Sequence, residues 1–267
     1  MRGLPVVYYI ILLIVLAASS TAVADPAWAE VSVALQGGTY ENVSFSSVWW
    51  SYSQEFIGTT AGGGWSEWGW DGWTLGDEDT SAGHSKSYAE SLAQTTGFFN
   101  LTAYAKATPE ENTMSWSGQY ASSGWPDWAG QLRSFTVGAD GEVVFNFALT
   151  SSVDLETAYA GEWAYGDFYV VAELYGENYT DPPIVQTTLL SLSQLVENGA
   201  DFSSSASSVP LSLSSDAFSA GDFGWLKVYV YADAAACTGV APVPIPAAVL
   251  LGLLGLGTAG LGVRKLS

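Results

Sequence analysis

The chain has 267 residues, enough for one large β domain or two small domains, and its formal net charge is −20. Its seven Lys and Arg residues form no basic stripe that could neutralise phosphates, which excludes nucleic acid as a partner. Hydrophobic residues make up 48% of the chain, which excludes an acidic disordered protein. The single cysteine, Cys237, excludes an intramolecular disulfide and a cysteine-based metal cluster.

Residues 1–24 have the layout of a secretory signal peptide. Arg2 supplies the positive charge, and an apolar segment follows it. Ala22 and Ala24 then form a small-x-small cleavage site, so we expect cleavage after Ala24, with Ala29 as a second site. The alternative is an uncleaved anchor helix, which the short apolar run and the cleavage site disfavour.

Residues 61–85 form a stretch rich in tryptophan and glycine. Its glycine spacing predicts an irregular loop or a twisted hairpin. Two interpretations of its indole rings stay open. The rings fold back over the edge of a sheet as a small core, or they form an exposed platform that stacks on sugar rings beside carboxylates. The platform residues would be Trp65, Trp68, Trp70 and Trp73.

The same stretch holds candidate calcium ligands, because calcium prefers several oxygen ligands from carboxylates and carbonyls. These candidates are Asp71, Asp77, Glu78 and Asp79, and their spacing does not match an EF-hand. No other cofactor is expected. The only histidine, His84, lies in a predicted solvated loop, so we do not expect a Ser-His-Asp triad.

Period-two alternation of apolar residues recurs through residues 25–234 and predicts half-buried strands. In residues 225–234, one face would carry Leu226, Val228, Val230 and Ala232, and the other Trp225, Lys227, Tyr229 and Tyr231. Such strands usually pack as two antiparallel sheets. The sequence therefore predicts an all-β fold, an antiparallel, jelly-roll-like β-sandwich with very little helix.

Turn residues separate the predicted strands. They are Gly37-Gly38, Asp140-Gly141, Gly161, Pro182-Pro183, Asn198-Gly199 and Gly221-Asp222. One segment is ambiguous. Residues 184–199 fit a weak helix or a pair of strands equally well, since their Ser and β-branched residues disfavour a helix.

The C-terminal segment combines a proline motif, an apolar helix and a basic tail. Residues 235–246 form a predicted linker whose prolines keep the backbone extended. Residues 247–263 carry no charge, and as a helix they would rise about 25 Å, enough to span a bilayer. Arg264 and Lys265 follow as a cytoplasmic stop, which orients the bulk of the chain outside.

This layout resembles the PEP-CTERM sorting signal of Gram-negative bacteria, in its VPLPA-type variant. The motif would be Val243, Pro244, Ile245, Pro246 and Ala247. Two features depart from the usual signal: Ile245 stands where an acidic residue is common, and the tail has two basic residues instead of a run. A plain single-span anchor is the alternative.

The resemblance implies a membrane enzyme, an exosortase, that recognises and processes the signal. It implies anchoring in the inner membrane before processing, then a place at the cell surface or outside the cell, associated with exopolysaccharide or biofilm matrix. It also implies a β-sandwich ectodomain whose last strand is rich in aromatic residues.

We therefore expect a non-enzymatic exported protein that is first anchored by its C-terminal helix and then displayed or released. One alternative is a carbohydrate-binding module that uses the tryptophan stretch. Another is a glycan-active enzyme, which would need two opposed carboxylates that no motif identifies.

Overall fold

A computed structural model describes residues 27–59, 65–72, 79–109, 114–118, 129–178 and 181–238. Within these ranges the chain forms thirteen strands and no helix, which confirms the predicted all-β fold. The strands are β1 (Trp28–Glu41), β2 (Val43–Thr59), β3 (Trp65–Gly72), β4 (Thr80–Ser85), β5 (Ala89–Thr96), β6 (Asn100–Ala107), β7 (Met114–Gly118), β8 (Ala129–Val137), β9 (Val143–Glu156), β10 (Trp163–Tyr175), β11 (Val185–Glu197), β12 (Asp201–Ser215) and β13 (Phe223–Cys237).

These strands form two antiparallel sheets. Sheet A has the order β12-β9-β1-β6-β5-β4, and sheet B has the order β11-β10-β13-β7-β2-β3. Strand β8 also joins sheet B, where it pairs with β13 and β2 beyond the stretches that pair with β7. Each sheet packs one face against the other around a shared apolar core, which is the arrangement of a β-sandwich.

The inward faces are those that the alternation predicts. In β13, the side chains of Leu226, Val228 and Val230 are fully buried. Alternate side chains are buried in the same way in three other strands. They are Phe99, Leu101, Ala103 and Ala105 around β6, Val143, Phe145, Phe147 and Leu149 in β9, and Phe168, Val170, Ala172 and Leu174 in β10. Alternation alone therefore identified much of the core.

The ambiguous segment is a single strand. β11 (Val185–Glu197) pairs with β10 along its length, so neither a helix nor a pair of strands forms there. Leu189, Leu190 and Leu192 pack against the core on the inward face, whereas Leu195 is half exposed. Burial of this face in a sheet outweighs the segment's weak helical tendency.

One predicted turn is wrong. Gly37 and Gly38 lie inside β1, where the pairing with β9 shifts register between Gly37 and Tyr40. A Cβ at Gly37 would come 2.7 Å from the carbonyl oxygen of Phe98. The glycine is therefore needed for a close backbone approach at an irregularity in the strand, not for a turn. The other predicted turn residues lie between strands.

The core changes from small to large side chains along the sandwich. At one end it is built from alanines, such as Ala29, Ala164 and Ala236. At the other end aromatic rings pack edge to face, with 4.8 Å between the centroids of Phe45 and Phe98. Small side chains therefore fill the space between the sheets at the alanine end, and rings fill it at the other.

The first strand starts and the last strand ends at this alanine end. Trp28 pairs with Glu156 at the end of β9, and Cys237 pairs with Trp163 at the start of β10. Residues 157–162 join β9 to β10, so all four positions lie at one end of the sandwich. Strand β13 continues to Cys237, past residue 235, where the sequence placed the start of the linker.

Candidate functional site

The tryptophan stretch contributes β3 to the edge of sheet B. Its partner is β2, and the register sets Trp65 opposite Thr59, Trp68 opposite Phe56 and Trp70 opposite Gln54. Trp73 lies outside the described residues. The sugar platform on these tryptophans stays a prediction.

The candidate calcium ligands are divided between strand, loop and undescribed chain. Asp71 lies in β3 opposite Ser53, whereas Asp79 precedes β4 and accepts a hydrogen bond from the amide of Gly97 at 2.9 Å. Asp77 and Glu78 lie outside the described residues. In the part of the chain that the structure describes, no three His, Cys, Asp or Glu side chains are grouped to hold a metal ion. The calcium site stays a prediction.

The sorting residues also lie outside the described ranges. They are Ala22 and Ala24 at the predicted cleavage site, Val243, Pro244, Ile245, Pro246 and Ala247 in the motif, and Arg264 and Lys265 in the tail. Among residues 27–238, the described portions contain no helix with the length and apolarity of a membrane span.

Cys237, which the sequence placed in the linker, is the last residue of β13 and is partly buried. Burial, and then the nearby charge of Glu162, raise the pKa of its thiol. Because the thiolate is the reactive form, this environment makes Cys237 a poor nucleophile at neutral pH.

Where β2 faces β4 and β5, the two sheets are joined by polar side chains. We call this group the polar seam. All of its members except His84 are buried. They are Ser51, Ser53 and Glu55 of β2, Thr80 and His84 of β4, Ser91 and Thr95 of β5, and Gln131 and Arg133 of β8.

At one end of the seam, Glu55 links the sheets. Its carboxylate accepts a hydrogen bond from the Ser91 hydroxyl and contacts Nδ1 of His84. His84 and Ser91 are directly opposed on β4 and β5. A serine hydroxyl can donate one hydrogen bond, and here Ser91 donates it to the carboxylate rather than to the imidazole. In a serine nucleophile activated by histidine, the hydroxyl donates to the imidazole instead, so this arrangement is not a catalytic triad.

At the other end, Gln131 organises the seam. Its amide nitrogen donates to the carbonyl oxygen of Gly97 at 2.7 Å and to Ser51, and its Oε1 accepts from the amide of Phe99 at 2.7 Å. Arg133 donates to the same carbonyl at 3.1 Å, and its guanidinium lies 4.2 Å from the ring centroid of Phe98. Arg133, one of seven Lys and Arg residues in the chain, is therefore buried between the sheets, where it contacts Gly97 and Phe98.

A second candidate site lies on the face of sheet B that points away from the core, although Tyr175, Trp225 and Tyr229 are themselves buried there. We call it the outer aromatic face, and it carries Tyr165, Tyr169 and Tyr175 of β10 and Trp225, Tyr229 and Tyr231 of β13. The rings of Tyr169 and Tyr231 are stacked, with centroids 4.6 Å apart.

A buried carboxylate, Glu173, lies within this face and has three donors. They are the hydroxyl of Tyr175 at 2.7 Å, the amide of Gln186 at 2.7 Å and the ammonium of Lys227 at 2.9 Å. Only 5% of Glu173 is exposed, so this network is held rigidly by charge-assisted hydrogen bonds.

An open groove of ≈ 540 Å³ lies beside this network. It is lined by Tyr169, Val171, Gln186, Ser191 and Tyr229. The groove coincides with a register shift in the pairing of β10 with β11, next to Val171. Irregularities of this kind change the direction of side chains at binding surfaces.

Below the groove, Asp167 and Asp233 face each other on adjacent strands. Burial raises the pKa of Asp233 to about 6; a hydrogen bond from Tyr231 lowers it, and the neighbouring Asp167 raises it further. Burial likewise raises the pKa of Asp167. The pair gives this end of the face a negative charge at neutral pH.

Comparisons with family models, curated proteins and solved structures found no match for the chain. The candidate sites are therefore defined by their own geometry.

Sequence reasoning missed most of these residues. Alternation did place Trp225, Lys227, Tyr229 and Tyr231 on one outward face, which was the available signal for the outer aromatic face. No signal pointed to the contact between Glu55 and His84, because the two residues lie on strands of different sheets. Likewise, Lys227 meets its partner Glu173 only because β10 pairs with β13, and no local pattern in the sequence indicates that pairing.

Proposed function

We propose that this chain is an exported, non-enzymatic surface or matrix protein of a Gram-negative bacterium, sorted by an exosortase-like enzyme. The observation that carries the proposal is the C-terminal layout: proline motif at residues 243–247, apolar helix and basic tail. In this scheme the signal peptide exports the chain, and the helix holds it in the inner membrane until processing.

The described sandwich supports this order of events. Both its first strand and its last strand end at the alanine end, next to the turn at residues 157–162. The proline motif follows soon after Cys237, so cutting there would leave every strand of the sandwich intact. We propose a jelly-roll-like sandwich, since successive strands such as β1 and β2 or β9 and β10 alternate between the sheets.

A non-enzymatic role is supported by the use of the only histidine. His84 contacts a buried carboxylate between the sheets, and the Ser91 hydroxyl donates its hydrogen bond to that same carboxylate. These residues join β2 to β4 and β5, which is a structural task. Such buried polar networks specify one arrangement of strands.

Intact-mass measurement of the protein from its native host tests the sorting proposal. We expect a mature N-terminus at Asp25 and loss of the chain from about Val243 onward. Replacing both motif prolines, Pro244→Ala with Pro246→Ala, should preserve the tail, whereas the neighbouring Pro242→Ala should not. A wild-type mass that still includes Ser267 would contradict the proposal and leave an ordinary membrane anchor.

A further inference from the structure

We propose that Tyr169 and Tyr231 form an oxidative modification site, at which the two rings become joined by a carbon–carbon bond as dityrosine. Tyr169 lies on β10 and Tyr231 on β13, so the bond would link two neighbouring strands of sheet B. The inference goes beyond the proposed function, because it concerns covalent stabilisation of the sandwich and not its sorting.

The two rings are placed for coupling. The register of β10 and β13 sets Tyr169 directly opposite Tyr231. Their ring centroids lie 4.6 Å apart, and the ring planes differ by 17°. Directly opposed side chains leave the sheet about 5 Å apart, so rotation of the two side chains can bring their ring edges together. By contrast, Tyr229 is diagonal to Tyr169, with the rings edge to face and the centroids 6.4 Å apart.

Exposure favours the same pair. Tyr169 and Tyr231 are both partly exposed, whereas only 5% of Tyr229 is exposed. The chain also has one cysteine and two methionines against 14 tyrosines, so it offers few of the sulfur side chains that oxidants attack readily. A small oxidant in solution can therefore reach these two rings with little competition from sulfur.

The coupling step needs a one-electron oxidant, and hydrogen peroxide used by a haem peroxidase is the class that supplies it. Each phenol loses one electron and its hydroxyl proton. The two radicals then form one bond between ring carbons that neighbour the oxygen-bearing carbons. The hydrogen on each coupled carbon leaves as a proton and a proton returns to each oxygen, which restores both phenols. Overall the protein loses two hydrogen atoms, and hydrogen peroxide is reduced to two molecules of water.

A carboxylate is placed to accept the proton of Tyr231. Burial raises the pKa of Tyr169 to about 12, and burial, followed by the charge of Asp233, raises the pKa of Tyr231. Both phenols therefore stay protonated at neutral pH, and each must release a proton when it loses an electron. The hydroxyl of Tyr231 donates a hydrogen bond to Asp233, so this proton has an acceptor within reach.

The bond would act as a staple in a chain that cannot form one from sulfur. A single cysteine excludes an intramolecular disulfide. Strands β11 and β12 lie between Tyr169 and Tyr231 in the chain, so dityrosine would close a long loop that contains an edge strand of each sheet. Closing a long loop lowers the entropy of the unfolded chain, as a disulfide does. We therefore expect the modified protein to be the more stable form.

Oxidation of the full chain in mild detergent tests the proposal. Haem peroxidase with hydrogen peroxide, and separately ruthenium tris-bipyridyl with persulfate and light, would supply the one-electron oxidant. We expect a monomer that has lost the mass of two hydrogen atoms and shows dityrosine fluorescence. Its proteolytic digest should contain a cross-linked peptide pair with Tyr169 and Tyr231. The melting temperature of this monomer should be about 5 °C higher than before oxidation.

Two variants test the roles of the two groups. Tyr231→Phe keeps the ring but cannot form the phenol radical, so the cross-linked pair should fall to background. Asp233→Asn keeps both phenols and removes the proton acceptor, so the initial rate of coupling should fall about tenfold. A rate equal to that of the wild type would overturn the role of Asp233.

Two matched controls remove a different phenol. Tyr229→Phe changes the buried neighbour on β13, and Tyr104→Phe changes a partly exposed tyrosine of β6 on the other sheet. Neither should alter the yield of the pair. The proposal is overturned if the pair is absent from the oxidised wild type, if Tyr231→Phe gives the same yield of dityrosine monomer, or if dityrosine forms only in covalent dimers. None of these results bears on C-terminal processing, so the two proposals fail independently.

Discussion

At the scale of single residues, the sandwich holds two carboxyl groups, those of Asp167 and Asp233, where burial makes ionisation energetically unfavourable. Asp233 and Asp167 are opposed on neighbouring strands, and like charges in that position repel each other. The folded pKa of Asp233, about 6, lies above the ordinary value of 3.8. The folded protein therefore binds this proton more tightly than the unfolded chain does. The resulting stabilisation is complete below the ordinary value and is lost as the pH rises through the folded pKa.

Asp233→Asn should raise the free energy of unfolding by about 2 kcal/mol at about pH 7.5, because the amide cannot ionise. The gain should shrink towards zero as the pH falls below 3.8, where the wild-type carboxyl is protonated in both states. Urea unfolding across this range measures the difference between variant and wild type. The exposed Asp216→Asn serves as the control. A variant that is less stable than the wild type at about pH 7.5 would contradict the assignment.

Gln131→Leu should lower the free energy of unfolding by about 2 kcal/mol, although leucine has a similar size. The change leaves the buried amide of Phe99 without its acceptor, and an unsatisfied buried donor carries the full desolvation cost. Gln36→Leu, at an exposed position of β1, should change stability by less than about 0.5 kcal/mol. Equal effects of the two changes in urea unfolding would show that the seam contributes nothing.

At the scale of strands, the close approach of the sheets depends on small side chains. Gly166 lies on the inward face of β10. A Cβ there would come 2.8 Å from Cγ2 of Val31 and 3.0 Å from Cδ2 of Leu155, both on sheet A. Neither neighbour can move freely, because both are fully buried in the core. The two sheets would have to separate locally to admit even one methyl group.

Gly166→Ala should therefore destabilise the sandwich by about 1–3 kcal/mol through overpacking. Gly176→Ala is the matched control, since the nearest atom to its Cβ would be Cδ1 of Ile184 at an ordinary 3.6 Å. That control should be neutral or slightly stabilising, because alanine restricts the unfolded chain. Thermal unfolding distinguishes the two, and a stable Gly166→Ala variant would contradict the close approach of the sheets.

At the scale of the whole molecule, the distribution of cations makes the exterior more acidic than the composition suggests. Arg133 is buried between the sheets, and two of the remaining cations are committed to carboxylates. Lys106 lies 2.8 Å from Glu30, and Lys227 lies 2.9 Å from Glu173. Most of the 27 acidic residues of the chain thus repel one another across the surface.

Raising the salt concentration should therefore raise the melting temperature. The screening length falls from about 30 Å at 0.01 M to about 3 Å at 1 M, which removes most of the repulsion between exposed carboxylates. Sodium, magnesium and calcium chlorides compared at equal ionic strength provide the control. An extra rise with calcium alone would indicate the predicted site around Asp71, Asp77, Glu78 and Asp79. A melting temperature that falls with sodium chloride would contradict the repulsion argument.

Sequence alone determined the strand class and most inward-facing residues, and it predicts the sorting layout. Alternation has a period of two, so it assigns each side chain to a face without reference to any partner. The same pattern placed Leu226 and Val228 on the inward face of β13, where both are fully buried. Sorting signals are also visible in sequence, because they depend on the order of local composition along the chain.

Tertiary structure alone decided which strands are neighbours. It therefore also decided which side chains come together in the candidate sites. Glu55 and His84 meet because β2 faces β4 across the sandwich, and Arg133 is buried because Gly97 and Phe98 lie opposite β8. The groove lies where the pairing of β11 with β10 shifts register. Pairing and packing join residues that are distant in the chain, and the free energy that selects them comes from burial of the whole core, which no local pattern contains.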